Sequence, residues 1–240
     1  MPDGHPDLSG YWQRPYTPDM SVNATDLSGK PFPLEDPMHR GVELKAEAAP
    51  QGRGGRGGRA AHLLPFTPKY LKNWQTYDPT NGDYTGACLP FGLVRSINSP
   101  DPLQIMQHGT YLAELFEQNT WFHVVYIDGR DHPKDLDPTW FGNSVGKWDG
   151  DTLVVDTIGF NGKTRLDTIG HPHTDQLHVI ERFTLTDPQH INYEVTIDDP
   201  KAYTRPFTNK RIFTKMKKGE ELIEYSCEEN NRDLTQGHIK

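Results

Sequence analysis

The sequence predicts an all-β protein, an antiparallel up-and-down β-barrel wrapped by an irregular, proline-rich N-terminal segment. Three observations predict it. From Leu103 onward, short alternating apolar and polar runs follow one another between turn residues, with no helical period among them. Most of the 20 prolines fall before residue 101, where neither period survives for long. The 240 residues carry 34 % hydrophobic side chains at a mean hydropathy of -0.76, so the core must be concentrated in one part of the chain.

Residues 1–100 are expected to form the wrap, and 101–240 the barrel, as one folding unit. In the wrap, PHPDLSGYWQRPYTP and SGKPFPLEDPMHR read as extended segments anchored by Trp12, Tyr16 and Phe32. The run QGRGGRGGRA at 51–60 combines free backbone with solvated charge and reads as a surface loop rather than an RNA contact. TPKYLKNWQT at 67–76 offers Thr67 as N-cap and Pro68 at the first helical position, which predicts a short helix.

Nine strands are predicted near 103–108, 110–117, 120–127, 144–148, 151–158, 176–186, 191–198, 204–215 and 220–227. Parity shows their buried faces. Ile191, Tyr193, Val195 and Ile197 share one face, while Asn192, Glu194, Thr196 and Asp198 share the other. In 176–186, Leu177, Val179, Phe183 and Leu185 share a face with Glu181, which aims a carboxylate at the apolar side.

In an up-and-down meander, successive connections alternate between ends. The joins near 118–119, at Asp149-Gly150, at 186–190 and at 217–221 are then tight turns of one end. The long loops 128–143, 159–175 and 199–203, with the tail after Cys227, belong to the other. Closure would remove exposed edges and leave a mouth able to hold one small ligand.

Composition narrows the function. A formal net charge of -8 and a pI near 5.7 argue against nucleic acid as a partner, because phosphate binding needs clustered Lys and Arg. No apolar run approaches the roughly 18 residues of a membrane span. The opening PDGHPDLSG lacks the charged and apolar regions of a leader, yet suits a chain trimmed behind one, so a periplasmic or secreted location is favoured over the cytoplasm. Cys88 and Cys227 make one disulfide if the compartment is oxidising, and two free thiols otherwise. The oligomeric state stays open, with a homodimer allowed.

The chemistry is expected at the loop-rich mouth. GHPHTDQLHVIERF, 170–183, carries His171, His173, Asp175, His178 and Glu181. A desolvated Glu181 would have a raised pKa and suit proton transfer, with His173 or His132 as partner; against this stands an interior ion pair with Arg205 or Arg211. Tyr203 is a candidate donor to an oxyanion, or a corner residue bonded to backbone. Arg130, Trp140, His171 and Asp199 are expected to line the substrate. His171, His173 and Asp175 are the ligands if a divalent metal is present, an arrangement faintly similar to the first cupin motif with no second motif to complete it. No nucleophile elbow, phosphate loop or dinucleotide fingerprint appears, and no cofactor is expected.

The run DGRDHPKDLDPTWFGNSVGKWDGDTLVVDTIGFN, through GHPHTDQLHVIERF to TIDDPKAYTRPF, resembles a group of uncharacterised bacterial proteins, many of them exported in appearance, across about three fifths of the chain. The resemblance implies no activity and no catalytic residues. At the level of architecture alone, the meander is similar to calycin, or lipocalin-like, barrels. The leading expectation is a cofactor-independent lyase, isomerase or cyclase using acid–base chemistry on an apolar or aromatic small molecule. A non-catalytic carrier of a hydrophobic ligand is the alternative, and a His-ligated metal enzyme the third reading.

Overall fold

Alternation decides the architecture. In the computed structural model, which describes residues 4–45, 61–229 and 231, buried and exposed or half-buried residues alternate along most of the strands. The Gly/Arg-rich run at 51–60 lies outside the described residues. Nine strands close into one barrel: β1 (Gly10–Gln13), β2 (Leu103–Gln107), β3 (Tyr111–Phe116), β4 (Phe122–Tyr126), β5 (Asn143–Asp149), β6 (Thr152–Ile158), β7 (His178–Asp187), β8 (His190–Asp198) and β9 (Phe207–Lys215). Eight of the predicted strands are present, and the all-β barrel is as expected.

The closing strand is not the expected one. Residues 220–227 form no strand; β1, from the N-terminal wrap, seals the barrel by pairing with β2 and β9 at once. Trp12 explains why. Its ring is fully buried, and its indole N–H donates to the Leu8 carbonyl at 2.9 Å, so the segment gains a core anchor without losing a polar partner. The 220s are held differently: Glu117 and Asn119 accept from the backbone N–H of Ile223 and Cys227, and Cys227 is bridged to Cys88.

A second correction concerns direction. β4 and β5 are parallel, with Val125 opposite Ser144, while every other neighbouring pair is antiparallel. The 127–142 connection must therefore travel the height of the wall instead of turning at one end. It crosses outside: His132 contacts Asn143 and Asp156, which have the parity opposite to buried Ser144 and Thr157. The single parallel pair also moves the 118–120 turn to the end that carries 159–177 and 199–206.

The wrap is part of the core. Leu8, Met20, Ala24, Phe32, Leu64 and Trp74 are buried with the barrel residues, while Tyr16 is about half exposed. Helix α1 (Pro68–Thr76) occupies the predicted position, although Thr67 spends its hydroxyl on the Lys201 carbonyl instead of capping. A four-residue turn, α2 (Pro79–Gly82), follows. The wrap ends in α3 (Leu93–Asn98), all six residues of which are buried. Its entry, Gly92, has φ +78°, and a Cβ there would meet the Trp140 carbonyl at 3.0 Å. Helix α3 reaches the interior residues through Asn98, which accepts from Arg211 and donates to the Leu166 carbonyl. No helix among the described residues is long and apolar enough to cross a membrane.

Candidate functional site

The barrel interior is apolar along most of its strands, but one region is polar. Glu181 faces inward on β7 as parity predicts, with Val179 and Phe183. Tyr193, on β8, donates to its Oε1 at 2.8 Å, and Tyr193 lies directly opposite Arg211 of β9. Glu114 faces inward on β3 between Leu112 and Phe116. Arg14, just past β1, is also buried; it donates to the Ser96 carbonyl at 2.5 Å and to Ser99 Oγ at 3.2 Å, both at the end of α3.

These groups share one electrostatic environment. Burial pushes the Glu181 carboxyl up to about 8, and the negative charge of Glu114 adds to the rise; the Tyr193 hydrogen bond and Arg211 oppose it. Glu181 is thus largely neutral at pH 7. Burial lowers Arg211, and it takes Arg14 down to about 10 against the pull of Glu114 and Asp101. Four atoms of the cluster, Glu181 Oε2, Glu114 Oε1, Arg211 Nη2 and Arg14 Nε, have no hydrogen-bond partner among the described residues. Buried polar atoms left so cost roughly 1–3 kcal/mol each, and more when charged, so this interior carries an uncompensated polar cost.

Cross-strand register assembles a second polar chain beside the first. Glu114 and His123 are directly opposite on β3 and β4, and Glu114 Oε2 lies 2.9 Å from His123 Nδ1. The parallel β4–β5 pairing sets Ser144 one pleat from His123, with Ser144 Oγ 2.6 Å from Nε2. Thr157, opposite Ser144 on β6, places its hydroxyl 2.7 Å from Ser144 Oγ. All four side chains are buried. A carboxylate accepting from Nδ1 leaves Nε2 as the acceptor; Ser144 then donates to His123, and Thr157 donates to Ser144.

The loops of the expected site form separate clusters. His171 Nδ1 lies 2.6 Å from Asp167 Oδ2, and its ring stacks on Trp74 at 4.2 Å. Burial would lower the His171 pKa, but the Asp167 charge and hydrogen bond outweigh it and raise it. Asp19, Asp167 and His171 bring three potential ligand atoms within 4.8 Å of one another. Each is already engaged: Asp19 Oδ1 accepts from Ser21 twice, and Asp167 accepts the backbone N–H of Met20, Gly170 and His171 as well as the imidazole. These hydrogen bonds fold the 167–171 turn, while His171 Nε2 is buried without a hydrogen-bond partner among the described residues.

His173 is not beside Glu181. Its Nε2 meets Thr164 Oγ1 at 2.5 Å and its Nδ1 donates to the Thr174 carbonyl, while burial lowers its pKa. It shares no described contact with Glu181. The proposed His171, His173, Asp175 ligand set does not converge either: Asp175 is exposed and pairs with Lys201 at 2.7 Å. Tyr203 donates to the Pro172 carbonyl and closes a corner, and Asp199 accepts from Thr174, Lys201 and Ala202.

On the outer wall, His132 and His178 both contact Asp156, and Arg130 is held by Asp128 over the Tyr126 ring. Trp140 is half-buried, with Lys163 over its ring. Of the expected neighbours of Glu181, only Arg211 is near it; Arg205 lies over Phe32. Glu114 and His123 escaped the sequence reading although their parity with Leu112, Phe116 and Val125 is the signal that revealed Glu181.

A cleft of about 900 Å³ runs between the 15–23 segment and the outer face of β7–β9, and Tyr193, Asn209 and Arg211 are among its lining residues. It lies where β1 stops covering β9, at Gln13 opposite Thr214. No family model matches this chain, and no curated protein matches it either.

Proposed function

We propose that the protein is a small-molecule enzyme whose proton-transfer group is Glu181, working inside the barrel instead of at its loops. The observation that carries this reading is the Glu181 carboxyl: buried, held near pH 8, and with Oε2 unpartnered beside Glu114. A neutral carboxylic acid in such a setting donates a proton or a strong hydrogen bond at pH 7 and accepts one just above it. Arg211 and Arg14 would meet the oxygen that gains charge, and the cleft past Tyr193 and Arg211 is the route of entry. Its lining, with Asn192, Lys210 and Glu194, favours a molecule with a carbonyl or carboxylate over a wholly apolar one.

A lyase or isomerase reaction that begins by abstracting a proton from carbon gives a direct test. Carbonyl compounds that raise the melting temperature are incubated with the protein in D2O, and exchange of the activated C–H is followed by proton NMR. The enzyme exchanges it and Glu181→Gln does not. Binding without exchange supports the carrier reading. Absence of any ligand whose binding depends on Arg211 removes both.

We also infer an oxidising compartment, periplasmic or extracellular, from the Cys88–Cys227 bridge, since such bonds persist where thiols are not kept reduced.

A further inference from the structure

The chain Glu114, His123, Ser144 has the order and atoms of a nucleophile relay: carboxylate to Nδ1 at 2.9 Å, and Nε2 to hydroxyl at 2.6 Å. We propose that Ser144 is a second reactive centre, an acyl-accepting nucleophile for small esters, which goes beyond the proton transfer assigned to Glu181 and does not depend on it. A serine hydroxyl is a poor nucleophile alone and becomes a good one when a neutral imidazole, held in one tautomer by a carboxylate, can take its proton. Glu114 fixes that tautomer. Thr157 occupies a lone pair of Ser144 Oγ as donor, which leaves the serine proton directed at His123.

Position supports reactivity over mere packing. Ser144 is the second residue of β5 and Thr157 the last but one of β6, so the relay lies one pleat below the end where β5 begins. Half-buried Phe141 and Trp121 pack beside it: Phe141 is 6.3 Å from the His123 ring and 6.2 Å from Trp121, and Phe116 is 6.0 Å from Phe141. The ring cluster suits an acyl group that is aromatic or short and apolar. An apolar residue at position 144 would leave His123 Nε2 and Thr157 Oγ1 buried without this partner, so the three hydrogen bonds form one directed chain, from Thr157 to Ser144, from Ser144 to His123 and from His123 to Glu114.

The steps balance without a cofactor. Ser144 Oγ bonds to the acyl carbon as its proton passes to His123 Nε2. The carbon–oxygen bond to the alcohol breaks, and the alcohol leaves with that proton. Water then gives a proton to Nε2 and bonds to the acyl carbon, the acid departs, and the proton returns to Ser144 Oγ. Each half uses the same nitrogen, first as base and then as acid.

The test is covalent. The native protein is exposed to methanesulfonyl fluoride, a small sulfonylating probe, and the modified residue is located by peptide mass spectrometry. Hydrolysis of p-nitrophenyl acetate is followed in parallel. One methanesulfonyl group on Ser144 is expected, with none on that peptide in Ser144→Ala. His123→Gln should slow modification and hydrolysis by about 10²- to 10⁴-fold, the range for loss of a general base. The wild-type result stands whether or not the variants fold. A native protein unmodified at Ser144, under conditions that fully modify a known serine hydrolase, overturns the proposal, as does a folded His123→Gln modified at the wild-type rate.

Discussion

Replacing Glu181 by glutamine keeps the shape of the neutral acid and removes its ionisation, so the pair isolates the cost of charging one buried carboxylate. The carboxyl ionises near 4.5 in the unfolded chain and near 8 in the barrel. Between those values the folded protein holds a proton that the unfolded chain has lost, and stability therefore falls as pH rises. The contribution is fully present below pH 4.5 and is lost on passing through pH 8. A gap of about 3.5 pH units, at ~1.36 kcal/mol each, amounts to about 5 kcal/mol as a ceiling. The wild type and Glu181→Gln should be of similar stability near pH 5 and should separate steadily above it, the variant becoming the more stable by several kcal/mol at pH 9.

Urea midpoints at half-unit intervals from pH 5 to 9 measure this. The other ionisable groups are common to both proteins and cancel in the difference, apart from Glu114, Tyr193 and Arg211, which feel the Glu181 charge directly. Tyr193 is held well above its ordinary range by burial and stays neutral throughout. Parallel stability curves, separated by less than ~1 kcal/mol at every pH, would show that Glu181 is ionised and paired, and the proton-transfer reading would go with it.

Two further outcomes test the architecture. Trp12→Ala should destabilise by ~3–5 kcal/mol, seen as a lower urea midpoint, because it empties the seam where β1 joins β2 to β9; a loss below ~1 kcal/mol would mean that β1 is not the closing strand. Reducing Cys88–Cys227, which are 139 residues apart, should cost up to ~5 kcal/mol in the chain-entropy account and lower the melting temperature by several degrees, and an unchanged melting curve under reductant would refute the bridge.

Strand periodicity and parity were legible in the linear chain, because a period of two reports burial residue by residue. They placed eight of nine barrel strands, the helix at 68–76, and the inward aim of Glu181. The same rule, applied to YLAELF and FHVVY, would also have turned Glu114 and His123 inward. What parity cannot supply is which strand lies beside which, and in what direction. The assumption of a continuous meander put the 128–143 loop at one mouth; the parallel β4–β5 pair sends it across the outer wall, with His132 on it. That same pairing is the only reason Ser144 reaches His123. Proximity in sequence misled in the opposite sense. His171, His173 and Glu181 lie within a dozen residues, yet extended backbone advances roughly 3.3 Å per residue, which carries Glu181 down into the barrel while the histidines stay in the loop packing. Composition and periodicity determined that this chain closes a barrel around a buried acid. Only the three-dimensional register decided that Tyr193, Arg211 and Glu114 surround it, because Glu114 lies 67 positions before Glu181 in the chain and reaches it only as the sheet closes on itself.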